Sequence, residues 1–184
     1  MREQIRDRVA AGLVAEVRHP TLPLTLYNYR DRCQYEKAWD EITLQCRGLI
    51  LDDSGNVVAR PFRKFFNDTE HQPHELPWHL GCEVTEKVDG SLGILFHFDG
   101  RWHFATRGSF TSKQAEEAYD IYSERYGHVG VNPAITYLFE IVYPENRIVV
   151  DYGEDRDLVL LAMIDTNTGA EFSLDDAPID FRVV

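Results

Sequence analysis

The sequence predicts an α+β domain of antiparallel sheets with flanking helices. Three observations carry that expectation. Leu49-Ile50-Leu51 and Val57-Val58-Ala59 flank Asp52-Asp53-Ser54-Gly55-Asn56, two apolar runs joined by turn residues. Leu92 to Phe98 and Trp102 to Thr106 repeat that design around Asp99-Gly100, a tight-turn pair. Ser112 to Tyr126 reads instead as a helix. Ser112 or Thr111 is placed to cap it, acidic residues follow in the first turns, and Gly127 and Gly130 stop it.

The other elements follow in order. Met1 to Val17 reads as an amphipathic helix, with Ile5, Val9, Leu13 and Val17 at near-helical spacing, ended by His19-Pro20-Thr21-Leu22-Pro23. Leu24 to Tyr29 is strand-like, and Gln34 to Leu44 is expected as a second helix. Glu83 to Glu86 is a further expected strand. Ile135 to Val142, Arg147 to Val150 and Leu158 to Ile164 form a second group of strands, followed by a turn at Thr166-Asn167-Thr168-Gly169. Phe181 to Val184 looks like the start of another strand. No repeat, low-complexity tract or linker interrupts the chain, so residues 1–184 are expected to form a single domain.

A chain of 184 residues with 43% hydrophobic content can bury one sizeable core. The net charge of −12 excludes a nucleic-acid surface spread over the whole molecule. It leaves room for a local basic site. Arg60, Arg63 and Lys64 cluster in sequence, while Arg47, Arg107 and Arg147 sit in distinctive peptides. Much of the acid lies apart, in Glu116-Glu117, Glu154 to Asp157 and Asp175-Asp176. Cys33, Cys46 and Cys82 are scattered without metal-type spacing, which fits a reduced, cytoplasmic protein. No run approaches the roughly 20 apolar residues that span a bilayer.

The peptide Glu86-Lys87-Val88-Asp89-Gly90-Ser91 carries the clearest chemistry. A lysine set between short strand-like segments and an Asp-Gly turn is placed for partial desolvation, which favours its free amine. Only the free amine attacks an electrophile such as a nucleotide α-phosphate. Glu140, in an apolar strand, needs a partner or a function. By composition alone Phe65-Phe66 reads as core, Arg63-Lys64 as a solvated edge, and Asn146-Arg147 as a turn with a surface ion pair. His71, His74 and His79 have irregular spacing, with no Cys or acidic cluster to complete a zinc site.

Five peptides stand in order: Cys46-Arg47-Gly48-Leu49, Arg63-Lys64-Phe65-Phe66-Asn67, Glu86 to Ser91, Thr106-Arg107-Gly108-Ser109, and Phe139 to Val149 with its Pro144-Glu145-Asn146-Arg147-Ile148-Val149 run. Their order and spacing resemble the adenylyltransferase domain of ATP-dependent RNA ligases of the phage RNA ligase 1 type, from about residue 44 to about 175. The resemblance implies the nucleotidyltransferase (ATP-grasp-like ligase) fold. It implies that Lys87 attacks ATP to form a lysyl-AMP intermediate. AMP then passes to a 5′-phosphate RNA end, which is sealed to a 3′-hydroxyl, with Mg²⁺ or Mn²⁺ assisting. Arg47 and Lys64 match phosphate-contacting positions, Arg107 a ribose and phosphate position, and Glu140 the acid that binds ribose hydroxyls. Glu86 is expected near the adenine edge, Asp89 orienting the Lys87 loop, and Gly90 permitting close backbone approach to the ribose. The resemblance names no metal ligands.

Two family motifs are missing after Leu158 to Ala177: a Glu-Gly strand and a lysine pair on the α-phosphate. No lysine follows Lys113. The resemblance therefore implies an incomplete catalytic domain, with a C-terminal region missing. The alternative expectation is a non-catalytic module that binds nucleotides or RNA ends. A DNA ligase or capping guanylyltransferase fits the Lys-Phe-Phe-Asn and Pro-x-Asn-Arg-Ile peptides less well.

Overall fold

The architecture is described from a computed structural model over residues 1–81, 84–178 and 180–184, the side chain of Pro73 excepted. Two sheets stack face to face. The first is a four-stranded antiparallel sheet in the order β1 (Val14–Arg18), β2 (Leu24–Tyr29), β3 (Arg47–Asp52) and β4 (Val57–Ala59). The second is six-stranded. Its path runs β10 (Arg182–Val183), β8 (Asp157–Asp165), β7 (Ile135–Val142), β5 (Ser91–Phe98) and β6 (Arg101–Thr106), with β9 (Glu171–Phe172) also pairing to β8. The pairs are antiparallel except β10 with β8, which is parallel.

The period-two alternation of the strands builds the layers. Leu24, Leu26 and Ile50 of the first sheet meet Ile94, Phe96, Leu138 and Ala162 of the second. Their sequence neighbours Tyr27, Leu49 and Leu51 point the other way, onto Ile5 of α1 (Arg2–Ala10). On the far side, Leu95, Tyr137, Phe139 and Leu160 pack against Ala118 and Ile121 of α3 (Lys113–Ile121). The order is helix, sheet, sheet, helix. Arg60 ties the two sheets together: its guanidinium donates to the Thr166 and Asn167 carbonyls, and its N–H donates to Thr136 Oγ1 at 3.0 Å.

The helix expected over Met1 to Val17 stops at Ala10. Gly12, at φ +72°, closes a capping motif in which Leu13 N–H donates to the Arg8 carbonyl and Gly12 N–H to Val9. β1 then begins at Val14. Of the second expected helix, Gln34 to Leu44, only Gln34 and Tyr35 are helical, at the end of α2 (Asp31–Tyr35). Asp40 Oδ1 accepts the N–H groups of Ile42 and Thr43, a local bond that competes with continued helix. Ser112 caps α3 as expected, accepting from Ala115 N–H, and the helix runs into a π-helical turn at Tyr122–Tyr126. Arg147 to Val150 forms no strand, nor do residues 84–86; Glu83 lies outside the described residues. The tail does form a short strand, β10.

Candidate active site

A cleft of about 760 Å³ opens between the segment led by Arg47 and the second sheet. Arg47, Glu86, Lys87, Gly90, Arg107 and Glu140 all line it, six of the eight residues singled out from sequence. They come from β3, the approach to β5, the end of β6 and the middle of β7.

Gly48 brings the two basic arms together. It sits at φ +101°, and a Cβ there would lie 2.7 Å from Ile94 Cδ1 and 3.2 Å from Arg107 Cα. Only glycine lets β3 come this close to the Arg107 backbone. Burial lowers the Arg47 pKa, and the charge of Arg107 lowers it further. The Arg47 guanidinium lies 4.9 Å from the Phe65 ring centroid. Its Nη1 is buried with no hydrogen-bond partner among the described residues, as is Oδ1 of Asn28, its register partner on β2. A buried, unpaired guanidinium nitrogen in a cleft is a free donor, open to an anion or an ordered water.

Glu140 stands in register between Leu92 of β5 and Val159 of β8. Burial raises its pKa. The Gly90 N–H, donated to Oε1 at 2.9 Å, and the charges of Lys87 and Arg47 act in the opposite direction. Gly90 itself is fixed by packing. A Cβ there would lie 2.4 Å from the Ile141 carbonyl oxygen, so the backbone it approaches closely is β7.

Asp89 faces away from the cleft. Its carboxylate accepts the N–H groups of Val149 (2.7 Å) and Val150 (3.1 Å), and its own N–H donates to Tyr152 Oη at 2.9 Å. The Val150 and Val149 hydrogen bonds, then Lys87, hold its pKa below the usual carboxylate range. Lys87 Nζ is 3.3 Å from Asp89 Oδ1, and the lysine side chain is 86% exposed. The desolvation expected for Lys87 is therefore absent here. Residues 84–89 run as an irregular rim, and the ammonium pairs with a carboxylate instead of being buried. Lys64 does not line the cleft. Its ammonium donates to the Phe65 carbonyl and lies 4.1 Å from the Phe66 ring centroid.

Other cleft residues escaped the sequence reading. Phe65, expected in the core, is 62% exposed and forms a wall of the cleft. Its Lys-Phe-Phe-Asn peptide was the available signal. Gln114 and Leu161 had none. Asn146 is buried, donating to the Ile141 carbonyl at 2.8 Å and accepting from Ser91 Oγ at 2.9 Å. Arg147 makes the expected exposed ion pair, with Asp151 at 2.7 Å. Arg60 serves the sheet contact, and Arg63 pairs with Glu41.

A family model described as RNA ligase matches residues 45–179. The chain belongs to this RNA ligase family. The match takes in every cleft residue named above. Among relatives, the "Putative bifunctional polynucleotide kinase/RNA ligase" of Autographa californica nuclear polyhedrosis virus is 29% identical over 185 residues, covering 84% of this chain and 26% of that protein. The RNA ligase of Rhodothermus phage RM378 is 26% identical, covering 76% of this chain and 41% of that protein. The chain thus spans well under half the length of these RNA ligase relatives. A solved structure described as "Putative ATP-dependent DNA ligase from Aquifex aeolicus" aligns with 96% of this chain and 46% of its own, at TM-score 0.55 and 17% identity. That likeness shows the fold expected from the sequence, an α+β arrangement with antiparallel sheets.

Proposed function

We propose that residues 1–184 act as one adenylyltransferase unit of an ATP-dependent RNA ligase serving RNA repair in the cytoplasm. The observation that carries this reading is the convergence of Lys87, Glu140, Arg47 and Arg107 on one cleft, with Arg47 Nη1 buried and unpartnered. In this reading Lys87, after losing a proton to water, attacks the α-phosphorus of ATP. A P–N bond forms, the P–O bond to the β-phosphate breaks, and pyrophosphate leaves with the electron pair. AMP then passes to an RNA 5′-phosphate, freeing Lys87, and a 3′-hydroxyl displaces AMP to seal the strand.

Arg47 supplies a fixed fork for phosphate oxygens; Lys64, outside the cleft lining, would have to turn from the Phe65 carbonyl to join it. Arg107 serves the ribose and α-phosphate. Glu140 accepts ribose hydroxyl hydrogens, satisfying a carboxylate that burial otherwise penalises. Glu86 lies by the adenine edge. Gly90 and Asp89 hold the Lys87 segment on β7 and on the Val149–Val150 backbone. Mg²⁺ or Mn²⁺ would offset the phosphate charge when bound. Among the described residues no group of three or more His, Cys, Asp or Glu side chains is placed to hold a metal ion. Glu86 and Glu140 are the carboxylates of the cleft lining that would face such an ion.

The exposed, ion-paired Lys87 favours a second reading, a module that binds the nucleotide without reacting. Incubation with α-labelled ATP and Mg²⁺, then denaturation, separates the two. The ligase reading predicts label retained on wild type and lost in Lys87→Ala. Saturable ATP binding with no retained label supports the module.

A further inference from the structure

A second groove, of about 360 Å³, lies on the opposite face of the first sheet, between α1 and the β1–β2 pair. Arg2 and Arg6, one helical turn apart on α1, face Glu16 and Arg18 of β1 and Thr25 and Tyr27 of β2. Register sets the strand residues: Arg18 pairs with Thr25, and Glu16 with Tyr27. Asp53, in the β3–β4 turn, holds Arg2 and Arg18 side by side, and Arg18 also donates to Thr25 Oγ1 at 3.2 Å. Arg6 is exposed and makes no ion pair among the described residues. Three guanidiniums thus face two carboxylates, a positive excess on a chain of net charge −12. The excess is regional: residues 1–32 hold six arginines against four carboxylates.

A second observation points to a ligand. Tyr27 is 2% exposed and lines the groove, yet its hydroxyl has no hydrogen-bond partner among the described residues. It sits two residues along β2 from Thr25, the register partner of Arg18, on the same face. A buried phenol beside a guanidinium is a donor pair suited to a phosphate oxygen. β2 links this groove to the cleft. Thr25 and Tyr27 face the groove, and Asn28, two residues past Leu26, is the register partner of Arg47. From Thr25 to Asn28, the position beside Arg47, β2 rises roughly 10 Å, so a strand lying in the groove passes around the sheet to bring its end to the cleft.

We propose that this groove binds the phosphodiester backbone of a single RNA strand whose end lies in the cleft. The assignment rests on the ligase reading for the identity of the strand. The contacts are to phosphates, so they position the strand without reading its bases.

The test is fluorescence anisotropy of a labelled, 5′-phosphorylated single-stranded RNA, titrated at several salt concentrations. Arg6→Glu is expected to weaken binding about tenfold and to flatten the salt dependence by about one unit of log–log slope. Arg101→Glu, on the β5–β6 hairpin, carries the same charge change and is expected to weaken binding far less. Tyr27→Phe, which keeps the ring in the core, is expected to weaken binding by about two- to fivefold. Equal weakening by Arg6→Glu and Arg101→Glu overturns the groove, as does unchanged affinity in both Arg6→Glu and Tyr27→Phe. Displacement of the RNA by inorganic phosphate alone, at matched ionic strength, also overturns the strand assignment. Labelling of wild type by ATP is read in parallel. Selective loss in Arg6→Glu without that label upholds the groove and sinks the ligase reading. Label without selective loss does the reverse.

Discussion

Asp89 and Glu140 are both carboxylates beside Lys87, and their environments pull them apart. Asp89 is stabilised as an anion by two backbone N–H groups. Glu140 is penalised by burial, so its pKa rises despite the Gly90 hydrogen bond. A raised folded-state pKa means that Glu140 contributes most below the unfolded carboxylate pKa. That contribution is lost as pH rises through the folded value. Ionised Glu140 therefore costs stability at neutral pH. Glu140→Gln is expected to raise Tm at about pH 7, with the gap closing near pH 4, while nucleotide affinity falls. Thermal melts at both pH values check this, and an equal gap at both would contradict it. In the proposed function that cost is the counterpart of a carboxylate available to the nucleotide.

At the scale of elements, two glycines and one aspartate decide the shape of the cleft. Gly90 seats the Lys87 segment on β7. Gly90→Ala is expected to destabilise by about 1–3 kcal/mol, since its Cβ would collide with a backbone carbonyl; denaturant melts measure this. The same contact shows what was legible in sequence. The Lys87 peptide, Glu140 and the hairpins around Asp53 and Asp99 were readable, because period-two alternation and turn residues are local signals. The strand expected at Arg147 to Val150 was not formed, because the Val149 and Val150 N–H groups go to Asp89, a partner 60 residues away in sequence. The N-terminal helix was overextended because valine and leucine at fourfold spacing mask the break at Gly12. Exposure of Lys87 and Phe65 was likewise unreadable, since both depend on how the rim packs.

At the scale of the whole molecule, the cleft exists because two sheets stack and stay in register. Thr136 is fully buried at that contact, accepting from Arg60 N–H and sharing a hydrogen bond with Thr166 Oγ1 at 2.9 Å. Thr136→Val leaves the Arg60 N–H unpaired and is expected to cost about 1–3 kcal/mol, read as a lower denaturation midpoint with unchanged slope. Basic groups gather on the Arg47–Arg107 cleft and the Arg6 groove, while acid such as Glu154 and Asp175 lies on the exterior. That separation leaves local basic openings on a chain of net charge −12. The central claim is that Lys87 is a nucleophile toward ATP. Peptide mass spectrometry after incubation with ATP and Mg²⁺ tests it most directly. The account predicts one adenylate, carried on the peptide containing Lys87 and absent from Lys87→Ala. An adenylate on another residue, or none on a folded protein that binds ATP, would contradict it.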